Sequence, residues 1–581
     1  MDRDNLPRMK LALASLLVTT SLLAQNGYWP ESKAKEILAK TETIRLAPDL
    51  SHLDASEKAA VKDLLAAGAI MQKLYEESRH HQALRAARDL AKANRPDLEQ
   101  IYRLFQGPIA TTLDNKREAI APVDPQVAGK NVYPVDATRE EIDAWLAAHP
   151  DQRDAILGER TIVRRATKEN LDRDIKAIAS NGALSTFHAK LAASLKSIAP
   201  NSKTLYAVPY AVAYADDMVR MYQHLNDAAD KIEKSDAEFA RYLRNRARDL
   251  LSNDYESGDA SWVTGDFKHF NAQIGAYETY DDALFGVKAF HSFSLLATNE
   301  QATADLRKRL GGLQAIENAL PYDAHKRVRE DIPVGVYEVI ADFGQARGTN
   351  TATILPNDAL YARRYGRTIM LRENIMKDPA ILAASNRVWR TATADAHAND
   401  LGPEGDFQRT LWHEIGHYLG PDRDKQGRTL DIALEDYADA LEEMKADLVS
   451  LFTLDQMKHP DLRSIQAAGI RRTLQNVKPR KDQPYQTMQL AQFNWFLEKG
   501  LIDADPQTAR LTIHYDRYAD VVKSLLAEVI RIQREGDKAQ AAQFFERWGA
   551  WTPELHEKLA ARIRDAQGAR FRLVKYAALG E

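Results

Sequence analysis

The sequence predicts a mainly α-helical protein with a small β component, folded as two lobes. Three observations lead there. Long stretches carry apolar residues every three or four positions among strong helix formers. Strand-like segments cluster in one central zone. The chain has 581 residues, more than one hydrophobic core usually holds.

In chain order, the first segment is "RMKLALASLLVTTSLLAQ", a basic start at Arg8 and Lys10 followed by an uncharged run from Leu11 to Ala24. That run is short for a membrane span and has the length of an export signal's apolar core. Residues 1–24 therefore read as a signal peptide, which directs the chain to a bacterial periplasm. The competing reading is a buried first helix, which leaves the protein cytoplasmic. Next, residues 56–93, 216–251 and 519–548 have helical periodicity, their Leu and Ala stripes marking core faces and their charges solvated faces. Residues 107–135, 396–407 and 475–486 read as loops. Between the helical blocks, "VGVYEVIADFG" (334–344), "NTATILPND" (350–358) and "GRTIMLREN" (366–374) are β-rich and separated by Gly, Pro and Asn. No later segment reads as transmembrane.

Composition narrows the chemistry. With 79 basic and 83 acidic residues the net charge is −4, so nothing draws the chain toward nucleic acid or an anionic membrane. No glycine-rich GxxxxGK phosphate loop occurs. Cysteine is absent, which excludes disulfides, thiol nucleophiles and a cysteine-linked lipid anchor. Any metal must be held by His, Asp or Glu.

"TLWHEIGHYLG" (410–420) supplies such a set. A helix brings His413 and His417, four apart, onto one face, where both imidazoles can address one ion. Glu414 lies one residue round, placed to act as general base on a water without ligating the metal. An isolated pentapeptide of this kind also arises by chance on amphipathic helices. The second half of the pattern is "LEEMKADLVSL" (441–451), where Glu443 and Asp447 again share one helical face. Glu443 can be the third ligand of a catalytic zinc, and Asp447 can orient a ligand histidine, His413 in the first instance. First-coordination residues and a supporting carboxylate together are far more specific than either half. The expectation is one Zn²⁺ per chain, held by His413, His417 and Glu443. Gly416, inside the ligand helix at a cost of about 1 kcal/mol, predicts that another element or the substrate backbone passes close by.

With these residues in view, the chain resembles the zinc-dependent dipeptidyl peptidase III family, especially its shorter bacterial and plant-type branch. The likeness runs through "VPYAVAY" (208–214), "LLSNDYESGDASW" (250–262), "IGAYETYDDALFG" (274–286), "ATILPND" (352–358), the two zinc segments and "QFNWFLEKG" (492–500). It implies two lobes around a wide cleft, with zinc on the helical lobe. After the signal, 25–290 would form the mostly helical part of a lower lobe. Residues 291–345 and 371–550 would form the zinc-binding lobe, and 346–370 and 551–581 would complete the lower one. The resemblance also implies cleavage of short peptides near their N-terminus, releasing dipeptides. At the matching positions, Glu278 would pair with the substrate ammonium, Asn357 and the "TATIL" backbone would hold the peptide, and Tyr280 would hydrogen-bond the scissile region. Two departures stand out. Most of the family spaces the histidines one residue further apart, and Tyr485 occupies the position of a transition-state-stabilising histidine. A tyrosine donates a hydrogen bond but is not cationic at neutral pH. This leaves an alternative open, a zinc-containing peptide-binding protein with little or no hydrolytic activity.

Overall fold

The computed structural model describes residues 27–328, 333–356, 359–474 and 484–581. The expected signal segment and Asn357 lie outside them. Among the described residues no helix is long and apolar enough to cross a membrane.

The helical blocks are present, but each is broken once. The first divides into Ala55–Arg79 and Ala83–Lys92, with extended backbone at His80. The second divides into Ala215–Ile232 and Ala237–Ser252. The third divides into Tyr518–Glu535 and Lys538–Trp548 at Gly536, which is left-handed at φ +60°. Asp236 and Asp537 each accept hydrogen bonds from the first turn of the following helix. An aspartate satisfies free amide groups at a helix start better than it tolerates a helix interior. Of the expected loops, 107–135 contains a short hairpin, Ile109–Thr111 with Arg117–Ala119. The segment 396–407 already enters a helix at Pro403.

The central β zone is larger than the three strands the sequence announces. Five strands pair in the order Phe270–Ala276, His291–Thr298, Val334–Gly344, Thr368–Arg372 and Ala352–Leu355. All neighbours are antiparallel except Val334–Gly344 with Thr368–Arg372. The first two strands are buried along almost their whole length, so they lack the alternation that betrays a half-exposed strand.

Two large cores flank this sheet. The first packs the helices Ala55–Arg79, Ala215–Ile232 and Ala237–Ser252 against the first two strands. The second gathers Trp389, Trp412, Leu441, Leu448, Phe493 and Leu525 from the later helices. The strand Val334–Gly344 belongs to both, with Val334 and Val336 in the second core and Val339, Ala341 and Phe343 in the first. The strand from His291 packs in the first core, because it pairs with its hairpin neighbour Phe270–Ala276. Leu559 and Ile563 pack in the second core, and the return to the first comes only at Phe571–Tyr576, parallel to Thr41–Leu46.

Candidate metal centre

A cavity of about 1070 Å³ opens between the two cores, and both contribute to its walls. On the side of the second core lies the ligand helix, Pro403–Gly416. Pro403 starts it, where a missing amide hydrogen costs nothing, and Glu404 and Asp406 sit in its first turn, the favourable end for negative charge. Against it packs the acidic helix, Ala438–Gln456. Gly416 marks where they cross. A Cβ there would stand 2.8 Å from the carbonyl oxygen of Ala446 and 3.0 Å from its Cα. The glycine in the ligand helix thus lets the second helix approach.

At that crossing His413, His417 and Glu443 converge, one ligand atom from each lying within 4.8 Å of the others. His413 Nε2 is 3.3 Å from Glu443 Oε2, and His417 Nε2 is 3.9 Å from Glu443 Oε1. The other ring nitrogens lie against carboxylates. His413 Nδ1 lies 2.7 Å from Asp447 Oδ1, and His417 Nδ1–H donates to Glu442 Oε1 at 2.9 Å. Both Nε2 atoms thereby face Glu443, the orientation that second carboxylates give zinc-binding histidines. Glu443 Oε2 is buried without a hydrogen-bond partner among the described residues, as suits an oxygen waiting for a cation. Two imidazoles, one carboxylate and an open side facing a cavity make a donor set that fits Zn²⁺ with a free position.

The supporting carboxylates are themselves anchored. Arg409 Nη1 donates to Asp447 Oδ1 at 2.9 Å, and Arg472 Nε stands 3.7 Å from the other oxygen. Lys445 Nζ lies 2.8 Å from Glu442 Oε1. Burial alone would raise the Glu442 carboxyl, but Lys445 and His417 outweigh it and hold it down at about 2. Asp447 is likewise pulled far below the carboxylate range against its burial, by His413, Arg472 and Arg409. His413 shows the mirror effect. Burial disfavours its cation, yet the charge of Asp447 and the contact with Glu443 push it up to about 10 in the metal-free site. Glu442 was not foreseen in the sequence. The only signal for it is the Glu-Glu pair in "LEEMKAD", which does not say which carboxylate ligates and which supports.

Glu414 is half-buried and lines the cavity beside the ligands. Across from it, the first core contributes Glu278 and Tyr280. The Glu278 carbonyl accepts from the Phe290 amide, which ties the segment to the start of the strand His291–Thr298. Tyr280 is exposed to the cleft, and a tyrosine hydroxyl keeps its proton at neutral pH. Ala352–Leu355 is the edge strand of the sheet, and Ala352, Thr353 and Ile354 face the same cavity. Tyr485 falls in the first turn of the helix Pro484–Glu498, with its side chain outside the description.

No family model matches the chain. The solved structure of DPP III from Caldithrix abyssi superposes with a TM-score of 0.80 at 24% identity, covering 94% of this chain and 99% of that one. That of dipeptidyl-peptidase III from Corallococcus sp. strain EGB gives 0.72 at 23% identity, over 94% and 97%. The fold is that of dipeptidyl peptidase III. Among curated proteins, Nudix hydrolase 3 of Arabidopsis thaliana is 26% identical over 453 residues, which is 74% of this chain and 55% of that protein. This chain thus spans about half the length of that relative. Both solved neighbours, by contrast, share the dipeptidyl peptidase III fold along nearly their whole length.

Proposed function

We propose that this chain is a zinc-dependent peptidase that removes dipeptides from the N-terminus of short peptides. One observation carries the reading. His413, His417 and Glu443 converge, with both histidines oriented by carboxylates, on the wall of a cavity that Glu414 also lines. The names of the two solved neighbours agree with it. One zinc ion per chain, when bound there, supplies the Lewis acidity that polarises a scissile carbonyl and acidifies water.

The remaining chemistry belongs to the chain's own residues. Glu414 takes the proton from the attacking water and passes it to the departing amine nitrogen, the work of a general base that then becomes a general acid. The edge strand Ala352–Leu355 offers free backbone groups on which an extended peptide adds as a further strand. Asn357, just beyond that strand, extends this hold. Glu278 pairs with the substrate's ammonium through a charge-assisted hydrogen bond, and the span from there to Glu414 fixes how many residues are released. Tyr280, keeping its proton, donates to the carbonyl oxygen under attack, and Tyr485 stands as a second neutral donor in place of a cation. Residues 1–24 act as the export signal for a periplasmic enzyme.

The test is mass spectrometry of products from tetra- to octapeptides, with and without a chelator. The reading expects dipeptides released from the N-terminal end, abolished by chelator and restored by zinc. Intact peptides in the presence of bound zinc would instead leave a peptide-binding protein.

A further inference from the structure

The turn that follows His417 is held from two directions, and one of the holders lies outside every motif. The ligand helix ends at Gly416, and His417 is its C-cap. No further helical turn fixes this histidine, so its orientation depends on the residues after it. Gly420 there is left-handed, at φ +78°, and a Cβ on it would stand 2.8 Å from Lys445 Cδ. On one side Lys445 Nζ donates to the Leu419 carbonyl at 2.7 Å while also pairing with Glu442, the partner of His417. On the other side the Gly420 amide donates to Glu317 Oε2 at 2.8 Å.

Glu317 sits on the short helix Leu313–Ala319 and is fully buried. Its other oxygen accepts from the Tyr322 hydroxyl, with His325 Nδ1 at 3.7 Å. A buried carboxylate is costly unless it is hydrogen-bonded, and an apolar residue in its place would orphan the Gly420 amide. Tyr322 and His325 belong to the segment that brings Lys326 to the cavity wall. One carboxylate therefore joins the post-ligand turn to the wall behind it.

We infer that Glu317 is a positioning residue of the metal centre, fixing the Leu419–Gly420 turn and through it the aim of the His417 imidazole. The inference rests on the zinc reading above. Lys445 and Glu317 grip the turn from opposite sides, so losing either frees a ligand that has no helix beyond it.

The test measures zinc affinity by competition with a chromophoric chelator, together with the melting temperature of the metal-free chain. The proteins compared are the full chain, Glu317→Leu, Glu317→Gln and Tyr322→Phe. Glu317→Leu is expected to bind zinc about 10- to 100-fold more weakly, the usual loss when an orienting partner of a ligand is removed. Glu317→Gln keeps one acceptor oxygen and falls between it and the full chain. Tyr322→Phe removes the other bond to Glu317 but keeps the hold on Gly420, so it loses stability and retains the parent affinity. Should Glu317→Leu fail to fold, Glu317→Gln carries the comparison. Glu317 variants that melt earlier yet bind zinc as tightly as the parent would reduce Glu317 to a structural residue and overturn the inference. A parent chain that takes up no zinc overturns the metal reading itself, and this inference with it.

Discussion

His413 is 8% exposed and sits where two helices touch through Gly416, with carboxylates on both sides and arginines behind them. Across the same cavity, Tyr280 is 72% exposed, and the adjoining strand presents an edge that no described strand covers. The two walls differ in how deeply their polar groups are buried. On the wall of His413, histidine, carboxylate and arginine lie against one another in series. On the wall of Tyr280, the tyrosine, Glu278 and the edge strand line the same cavity. The difference separates two tasks. Ligand geometry must be fixed in advance to tenths of an ångström, whereas a surface that takes many sequences gains from leaving side-chain contacts sparse and using backbone.

Substitutions on either wall test that contrast. The largest effect is expected from Glu414→Gln, which should lower kcat by about 10²- to 10⁴-fold, the range for a lost general acid–base group. Its zinc content should stay at that of the parent chain, checked by metal analysis beside the rate. On the rigid wall, Asp447→Asn and Glu442→Gln should each weaken zinc binding by about 10- to 100-fold, measured by chelator competition. On the open wall, Glu278→Gln should leave zinc affinity untouched and raise KM by about 10- to 100-fold, the worth of a charge-assisted hydrogen bond. If Glu278→Gln disturbs zinc as strongly as Asp447→Asn does, the walls are not independent.

A smaller effect concerns pH. In the metal-free chain His413 titrates near 10, above the usual value for an unfolded histidine. Its protonation therefore adds stability that is complete below about pH 6.5 and is lost as pH rises through the folded value. Zinc must displace that proton, so zinc binding should tighten with rising pH and release a proton on uptake. The expected observation is a metal-free melting temperature that declines from pH 7 to 10, while the stabilisation by zinc grows. Smallest of all is Gly416→Ala. Overpacking against Ala446 costs about 1–3 kcal/mol, partly offset by about 1 kcal/mol of helix propensity. Thermal unfolding should show a modest net loss.

How much of this was legible follows from the range of each contact. His413, Glu414 and His417 could be read because one helix places them, and Glu443 with Asp447 because another does. Which of Glu442 and Glu443 turns toward the Nε2 atoms of the two histidines depends on how the two helices are rotated against each other, and spacing within either one does not carry that. Glu317 meets Gly420 from 103 residues away, with no periodicity joining them, so nothing local marks it. The same limit shapes the fold. The strand Val334–Gly344 stands out between turn residues, but Phe270–Ala276 and His291–Thr298 are buried on both faces and look no different from core helix. The long helical blocks were visible, and their breaks were not, because Asp236 or Asp537 reads as a surface residue until its cap is seen.

The most direct test is the zinc content of the purified chain and of Glu443→Ala, measured by mass spectrometry of the metal after dialysis against free zinc and removal of the excess. The account predicts one zinc per chain in the parent and almost none in the variant, with both folded. A variant that keeps its full zinc, or a parent that keeps none, would contradict it.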